Sequence, residues 1–187
     1  MYQFEINKKF WKFGGALVTI RDHNDNIIAK ARQKTFKIRE KIEVFSDEAE
    51  TQLLFTLSSK KIIDFNTCLY FELPTGEVLG SIKRNGLRSA FKLDSWKLFD
   101  HSENQIAVIE EDSLALAMVR RYLFNLLPQT FHIRDNNNVQ LGEIKQKFNF
   151  FTYNASATFS EPLVTSIGTV GLIGIALSLV ILEGKQR

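Results

Sequence analysis

The stretch that most constrains the fold is the C-terminal run Leu163 to Leu182, LVTSIGTVGLIGIALSLVIL, which holds twenty residues and no charge. As a helix rising about 1.5 Å per residue it is roughly 30 Å long, the hydrocarbon thickness of a bilayer and also the diameter of a small domain. A helix that is apolar on all sides suits either place. Two interpretations therefore stay open at this point, a membrane-spanning anchor and a helix buried inside a protein shell.

The composition of the whole chain is that of an ordinary globular protein. Its 187 residues are 24% charged and 44% hydrophobic, which suits a single domain over residues 1–187. A net charge of +3 permits an anionic partner but is too small for a dedicated nucleic-acid surface, so we expect no nucleic-acid partner. The N-terminus lacks the apolar core of a signal peptide, which predicts a cytoplasmic protein. The single cysteine, Cys68, lies in an apolar stretch and is expected to be buried.

Most of the chain before the apolar run shows the pattern of short antiparallel strands. Alternating or apolar runs are separated by polar turns and by turns that contain Gly or Pro. Strands are predicted at residues 16–21, 27–32, 35–45, 52–58, 68–73, 77–84, 91–93, 95–100, 105–110, 130–134, 139–146 and 148–158. The pattern changes once, at 112–127, where apolar residues recur at helical spacing and Pro128 follows.

The number of strands suggests where the apolar run belongs. About eight strands close a barrel that their own side chains fill, whereas a dozen leave a lumen about one helix wide. We therefore predict a mainly β protein, a closed antiparallel barrel of about 12 strands around a hydrophobic C-terminal helix at residues 163–182. Ser160 can cap this helix and Pro162 can lie in its first turn. Gly168, Gly171 and Gly174 would let bulky Phe side chains approach it closely, as they would a partner helix in a membrane.

A succession of short stretches resembles a known family. They are KTFKIRE at 34–40, KKIIDF at 60–65, GEVLG at 76–80 with KRNGLRS at 83–89, and DSW at 94–96, followed by the apolar helix. In this order they resemble the tubby C-terminal-like superfamily, in particular its LURP-one-related and phospholipid scramblase branch. The chain lacks the cysteine-rich segment and proline-rich N-terminal arm of the scramblases, and is similar to a stand-alone bacterial member.

The resemblance implies the same barrel around a hydrophobic helix, and it implies little about activity. Tubby members bind phosphoinositides, scramblase relatives are linked to the movement of membrane lipids, and LURP-one-related members have no agreed biochemical activity. It points to a non-enzymatic domain, peripheral to a membrane, with anionic lipid headgroups as the partner.

No pattern in the sequence predicts catalysis, a metal or a cofactor. The motifs of serine hydrolases, zinc proteases, phosphate-binding loops and dinucleotide-binding folds are missing. Asp22, Asn24 and Asn26 have calcium-ligand spacing, but Ile27 and Gln33 replace the glycine and the glutamate that such a loop needs. We therefore expect neither an enzyme nor a metal site.

Basic residues are the candidate binding residues. An Arg/Lys cluster at the mouth of a barrel would hold a phosphate by charge and bidentate hydrogen bonds. The residues assigned to a headgroup site stand at predicted strand ends or turns: Lys60, Lys61, Lys83, Arg84 and Arg88. Two further faces are basic, one with Lys30, Arg32 and Lys34 and one with Lys37, Arg39 and Lys41. The alternative is that Glu40, Glu43 and Glu77 offset these charges and the surface is merely solvated.

Overall fold

A computed structural model of the chain describes residues 1–10, 15–33, 41–59, 68–84, 95–112, 128–147 and 152–183. Outside these ranges lie residues 113–127 of the helix predicted at 112–127, the predicted strand at 91–93 and residues 35–40 of the third predicted strand. The elements are the helix α1, Glu161–Glu183, and the strands β1 Tyr2–Phe10, β2 Ala16–Arg21, β3 Ile27–Gln33, β4 Ile42–Phe45, β5 Leu53–Ser58, β6 Cys68–Glu72, β7 Val78–Arg84, β8 Ser95–Asp100, β9 Gln105–Glu111, β10 Thr130–Arg134, β11 Gln140–Lys147 and β12 Tyr153–Phe159.

The twelve strands form a closed antiparallel barrel. Each strand pairs with its neighbours in the sequence, and β1 closes the ring by pairing with both β2 and β12. At the closure Ile6 lies opposite Ile20 on one side and Ala155 on the other, and all three side chains are buried. The predicted fold, a barrel of about 12 strands with a C-terminal helix, is confirmed.

Alternation along each strand separates the inside of the barrel from its outer face. Successive side chains of a strand point to opposite faces, and β12 accordingly alternates buried and half-buried positions from end to end. In several hairpins a large inward residue stands opposite a small one, as Ile20 does to Ala29 and Phe71 to Gly80. These small residues leave interior volume for a helix.

One strand, β1, was not predicted. Tyr2, Phe4 and Ile6 alternate with polar residues, but the next inward position is Lys8. The side chain of Lys8 is fully buried inside the barrel (0% exposed). A lysine at an interior position breaks the apolar pattern on which the prediction of strands depends.

Helix α1 has two parts that differ in burial. Gly168 has φ 67° and ψ 170°, a conformation open in practice to glycine alone, and it kinks the helix. Before the kink Thr165 and Ser166 are exposed, while from Gly171 to Ile181 every residue is buried. The helix predicted at 163–182 is therefore buried on all sides only after the kink, and before it Leu163 and Ile167 are the buried residues.

The prediction that glycines let Phe side chains approach the helix closely is confirmed at one position. A Cβ on Gly174 would lie 2.8 Å from the ring of Phe71, so only glycine admits this close approach. The prediction is wrong for Gly168, where a Cβ would meet nothing and the residue serves the kink instead. Pro162 lies in the first turn as predicted. The Ser160 hydroxyl makes no hydrogen bond within the described chain, and its carbonyl accepts from the amide of Val164.

Five turns of one kind stand together at one end of the barrel, which we call the hairpin end. They are residues 22–26, 47–51, 73–77, 100–104 and 135–139, and they follow β2, β4, β6, β8 and β10. In each, the fourth residue has positive φ and donates its amide to the carbonyl of the first residue. We call the opposite end, where the even-numbered strands begin, the connection end.

An aspartate locks most of these turns. The carboxylate of Asp22 accepts the amides of Asn24 and Asn26, at 2.8 and 2.9 Å. Asp100 and Asp135 make the same pair of bonds, and the carboxylate of Asp47 accepts the amides of the last turn residue and the one after it. Bonds to the ionised carboxylate explain why aspartate opens four of the five turns.

The locked turns predict how stability depends on pH. Hydrogen bonds from Asn26, Gln52 and Asn104 lower the pKa of Asp22, Asp47 and Asp100, respectively, below the usual 3.8. A lowered folded-state pKa adds stability that is present above the unfolded value and is lost as pH falls through the folded value.

We expect the melting temperature of the wild type to fall from about pH 5 to pH 2 more steeply than that of the triple variant Asp22→Asn/Asp47→Asn/Asp100→Asn. Melting temperatures of both proteins across this range test the expectation. Two parallel curves would show that these carboxylates contribute no pH-dependent stability.

Candidate functional site

The structure describes two of the five residues assigned to a headgroup site. Lys83 is exposed on the outer face near the end of β7, and Arg84 is half-buried on the opposite face of the same strand, in register with Trp96. Lys60, Lys61 and Arg88 lie outside the described residues. The strand ends nearest to them in sequence, those of β5, β6, β7 and β8, are all at the connection end.

Lys83 has a basic partner that the sequence did not indicate. The register places Lys97 of β8 directly opposite it, on the same outer face. Cβ atoms of such pairs lie about 5 Å apart, and like charges there are unfavourable. Within the described ranges neither lysine forms an ion pair, so their two positive charges remain uncompensated.

Basic residues elsewhere on the wall are compensated by carboxylates. Glu50, from the turn between β4 and β5, binds both Lys30 at 3.1 Å and Arg32 at 2.8 Å. The hydrogen bond from Arg32 and the neighbouring Lys30 lower the pKa of Glu50. Lys41 lies 3.7 Å from Glu72. The solvated alternative thus holds for Lys30, Arg32 and Lys41, with Glu50 and Glu72 as the acids within the described ranges. Lys34, Lys37, Arg39 and Glu40 lie outside the described residues.

The interior of the connection end is polar, which the sequence analysis missed. Four strands and the residue just before β10 place a polar side chain there, each two positions from a buried apolar residue of the adjoining strand. We call this set the polar arc: Lys8, Arg84, Glu111, Gln129 and Gln146. A polar residue that follows the last apolar residue at spacing two is the signal that could have revealed it.

Hydrogen bonds join the polar arc to itself and to α1. Gln129 donates its side-chain amide to Glu111 at 3.0 Å, and its backbone amide to the side chain of Gln146 at 3.3 Å. The ammonium of Lys8 donates to the carbonyl of Val180 at 3.0 Å. The last carbonyls of a helix have no partner within it and carry its negative pole, so the buried lysine stabilises this end of α1.

Cys68 differs from its prediction. It was expected to be buried, but it is half-exposed on the outer face, opposite Lys83. Outward-facing positions of a strand are partly open to solvent even in an apolar segment, which explains the error. A hydrogen bond with the Cys68 side chain raises the pKa of Tyr70, and the negative charge of the Cys68 thiolate acts in the same direction.

The histidines are spread over the barrel. His23 and His101 lie in turns at the hairpin end, and His132 lies on β10 with its Nδ1 3.5 Å from a Glu143 carboxylate oxygen. Among the described residues no group of three or more His, Cys, Asp and Glu is placed to hold a metal ion.

Helix α1 meets the length and composition of a membrane span. It is the one helix among the described residues that is long and apolar enough to cross a membrane, and its most apolar window has a mean hydropathy of 2.2. In the structure 67% of that window is buried inside the protein. The core helix of a barrel meets the same criteria, so the alternatives raised by the sequence are separated by burial and not by hydropathy.

Comparison with known proteins bears on the identity of the barrel. No curated protein and no solved structure matches the chain significantly. The model of the LURP-one-related family matches residues 29–160, which run from β3 to the residue before α1. This match covers more than two thirds of the 187 residues. The chain therefore belongs to the LURP-one-related family.

Proposed function

We propose that this protein is a non-enzymatic barrel that binds anionic phospholipid headgroups, phosphoinositides among them, as a peripheral protein on the cytoplasmic face of a membrane. The observation that carries the proposal is the uncompensated pair of Lys83 and Lys97 at the connection end. The resemblance to tubby-like and scramblase proteins supports the choice of lipid as the partner.

An anionic headgroup suits this pair for an energetic reason. Two ammonium groups on neighbouring strands repel each other, and a phosphate between them replaces the repulsion with two attractions. Lys60, Lys61 and Arg88 lie outside the described residues, and they stay part of the proposed site by their place in the sequence alone, between β5 and β6 and between β7 and β8. Arg84 is assigned to the inner margin of this surface because it faces the other way from Lys83.

Cosedimentation with vesicles tests the proposal. We expect binding to vesicles that contain phosphatidylserine or a phosphoinositide and none to pure phosphatidylcholine. Each lysine near an anionic surface contributes about 1 kcal/mol, so Lys83→Gln/Lys97→Gln should bind roughly 30-fold more weakly in low salt.

The matched control is Arg21→Gln/Arg134→Gln, which removes the same charge from the hairpin end. Arg21 and Arg134 make exposed ion pairs with Asp25 and Glu110, and such pairs contribute little to stability. The control should bind like the wild type. Equal loss in both variants would show that net charge alone governs binding and would refute the assigned site.

A second candidate is a C-terminally anchored protein with α1 as a single transmembrane helix, which its length and hydropathy favour. Washing membranes with high salt separates the two, because screening releases a peripheral protein and leaves a spanning helix in place. Release of the full-length chain in soluble, monodisperse form supports peripheral binding. Extraction by detergent alone supports the anchor.

A further inference from the structure

Aromatic side chains stand beside the lysine pair on the outer wall of the barrel. A set of contiguous, outward-facing positions on β6 to β9 combines both lysines with two aromatic rings and holds no carboxylate. We call this set the aromatic face: Cys68 and Tyr70 on β6, Ser81 and Lys83 on β7, Lys97 and Phe99 on β8, and Val108 on β9. Every one of these residues lies within the described ranges, so the strand register fixes their arrangement.

The register arranges the aromatic face in two rows. In one row Lys83 lies opposite Lys97, and in the next row Tyr70 lies opposite Ser81 and Ser81 opposite Phe99. Outward neighbours on the same strand are about 7 Å apart. Both rings are half-buried, and neither belongs to the barrel core or packs against it. Two rings with no role in the core thus lie directly beside two uncompensated charges.

This combination suits the boundary between lipid headgroups and acyl chains. Ammonium groups bind lipid phosphates, while aromatic rings favour the interfacial layer, where a tyrosine also keeps its hydroxyl hydrated. Another outward phenylalanine, Phe45 on β4, lies opposite Lys30, but Glu50 compensates that lysine at 3.1 Å. The aromatic face therefore differs from this second lysine–phenylalanine pair in its charge.

We propose that the aromatic face docks on an anionic bilayer, with Lys83 and Lys97 on lipid phosphates and the rings of Tyr70 and Phe99 inserted between the headgroups. This inference rests on the proposed function. It adds to it the part of the wall that meets the membrane, a side-on orientation of the barrel, and an apolar contribution to binding.

The curvature of the wall permits this contact. In a ring of twelve strands each strand occupies about 30° of the circumference. Strands about 4.8 Å apart then give a radius of roughly 12 Å, so β6 and β8 lie only about 2 Å further than β7 from a plane that touches β7. Lysine and aromatic side chains are longer than this step. Those of all three strands can therefore reach the same layer of a bilayer.

Two outward carboxylates of β6 and β9 border the aromatic face, and both are compensated. Glu72, the next outward residue on β6, lies 3.7 Å from Lys41. Glu110, the next outward residue on β9, lies 3.5 Å from Arg134. Paired charges on an exposed surface largely cancel at a distance, so the lysine pair dominates the charge that this part of the wall presents to a membrane.

Substitution of one ring tests the apolar part of the contact. In cosedimentation with phosphoinositide vesicles, Phe99→Ser should weaken binding roughly tenfold because it removes a ring from the interface. It should leave the salt dependence of binding unchanged, since it removes no charge. The matched control is Phe45→Ser, which removes a half-buried outward phenylalanine from β4 and should bind like the wild type. Melting temperatures show whether both variants keep the fold.

A fluorophore on the full-length chain gives a second measurement that leaves both rings in place. Cys68, the single cysteine, is half-exposed on the aromatic face opposite Lys83 and can carry an environment-sensitive dye. In a Cys68→Ser background, Leu17→Cys and Ser156→Cys place the dye on the outer wall of β2 and β12, on the far side of the ring from β7. With vesicles that contain a lipid-borne quencher, we expect a blue shift and quenching at Cys68 and at neither other position.

The outcomes separate this inference from the proposed function. Equal quenching at all three positions, or Phe99→Ser binding as tightly as Phe45→Ser, would overturn docking by the aromatic face and leave lipid binding intact. Absence of cosedimentation of the wild type would overturn the proposed function, and the docking face with it. Quenching confined to Cys68, together with weaker binding of Phe99→Ser alone, is the result that the inference predicts.

Discussion

A chain that ends at Ser160, and so lacks α1, is expected not to form the barrel. Seven large aliphatic side chains between Leu172 and Ile181 are buried inside it, each at most 3% exposed. Burying one such side chain stabilises a protein by about 1.5–3 kcal/mol, so the set contributes roughly 10–20 kcal/mol. The whole stability of a domain is roughly 5–15 kcal/mol. Loss of the helix therefore removes more stabilising free energy than the folded domain has in total.

Circular dichroism and denaturant unfolding of the truncated chain measure this directly. We expect no cooperative transition and exposure of apolar surface to a hydrophobic dye. A chain that ends at Glu183, which keeps all of α1, is the control and should unfold cooperatively. A soluble, cooperatively folded barrel without α1 would contradict the assignment of the helix to the core.

Lys8→Glu is expected to destabilise the protein by about 4 kcal/mol or more, since it replaces a buried ammonium by a buried carboxylate. The new carboxylate would face the carbonyl of Val180, at the negative pole of α1, where Lys8 now donates a hydrogen bond. Denaturant unfolding of the variant and the wild type gives the difference in free energy.

Lys9→Glu is the matched control, because it makes the same change one residue away. Lys9 is exposed on the outer face, so the cost should stay within about 0.5 kcal/mol. Equal effects of the two changes would mean that Lys8 does not hold the end of the helix.

The sequence could predict the barrel because alternation and turn chemistry are local. Strands such as β2 and β8 are visible in their own residues, and the turns between them carry Asp, Asn or Gly. Closure of the barrel followed from the number of strands and from one helix without a polar face. The kink at Gly168 could not be predicted in this way, since the run holds three glycines and its composition does not say which of them leaves the helical conformation.

The candidate site was less accessible to sequence analysis, because its chemistry depends on which strands are neighbours. Lys83 was identified as a basic residue at a strand end, but its partner Lys97 depends on the register of β7 and β8. The binding of Lys30 and Arg32 by Glu50 is likewise a contact across strands. Lys8 was hidden because interior positions are assumed to be apolar, and it is the hydrogen bond to α1 that permits a charge there.

The central claim, that the apolar helix is the core of a barrel and not a membrane span, is tested most directly by hydrogen exchange of the full-length protein purified without detergent. The account predicts that the amides from Leu172 to Ile181 exchange as slowly as those of the central strands, through global unfolding alone. It also predicts that amides before Gly168 exchange faster, since that part of α1 is only partly buried. Rapid exchange along the whole of α1 beside protected strands, or a protein that stays soluble only in detergent, would contradict it.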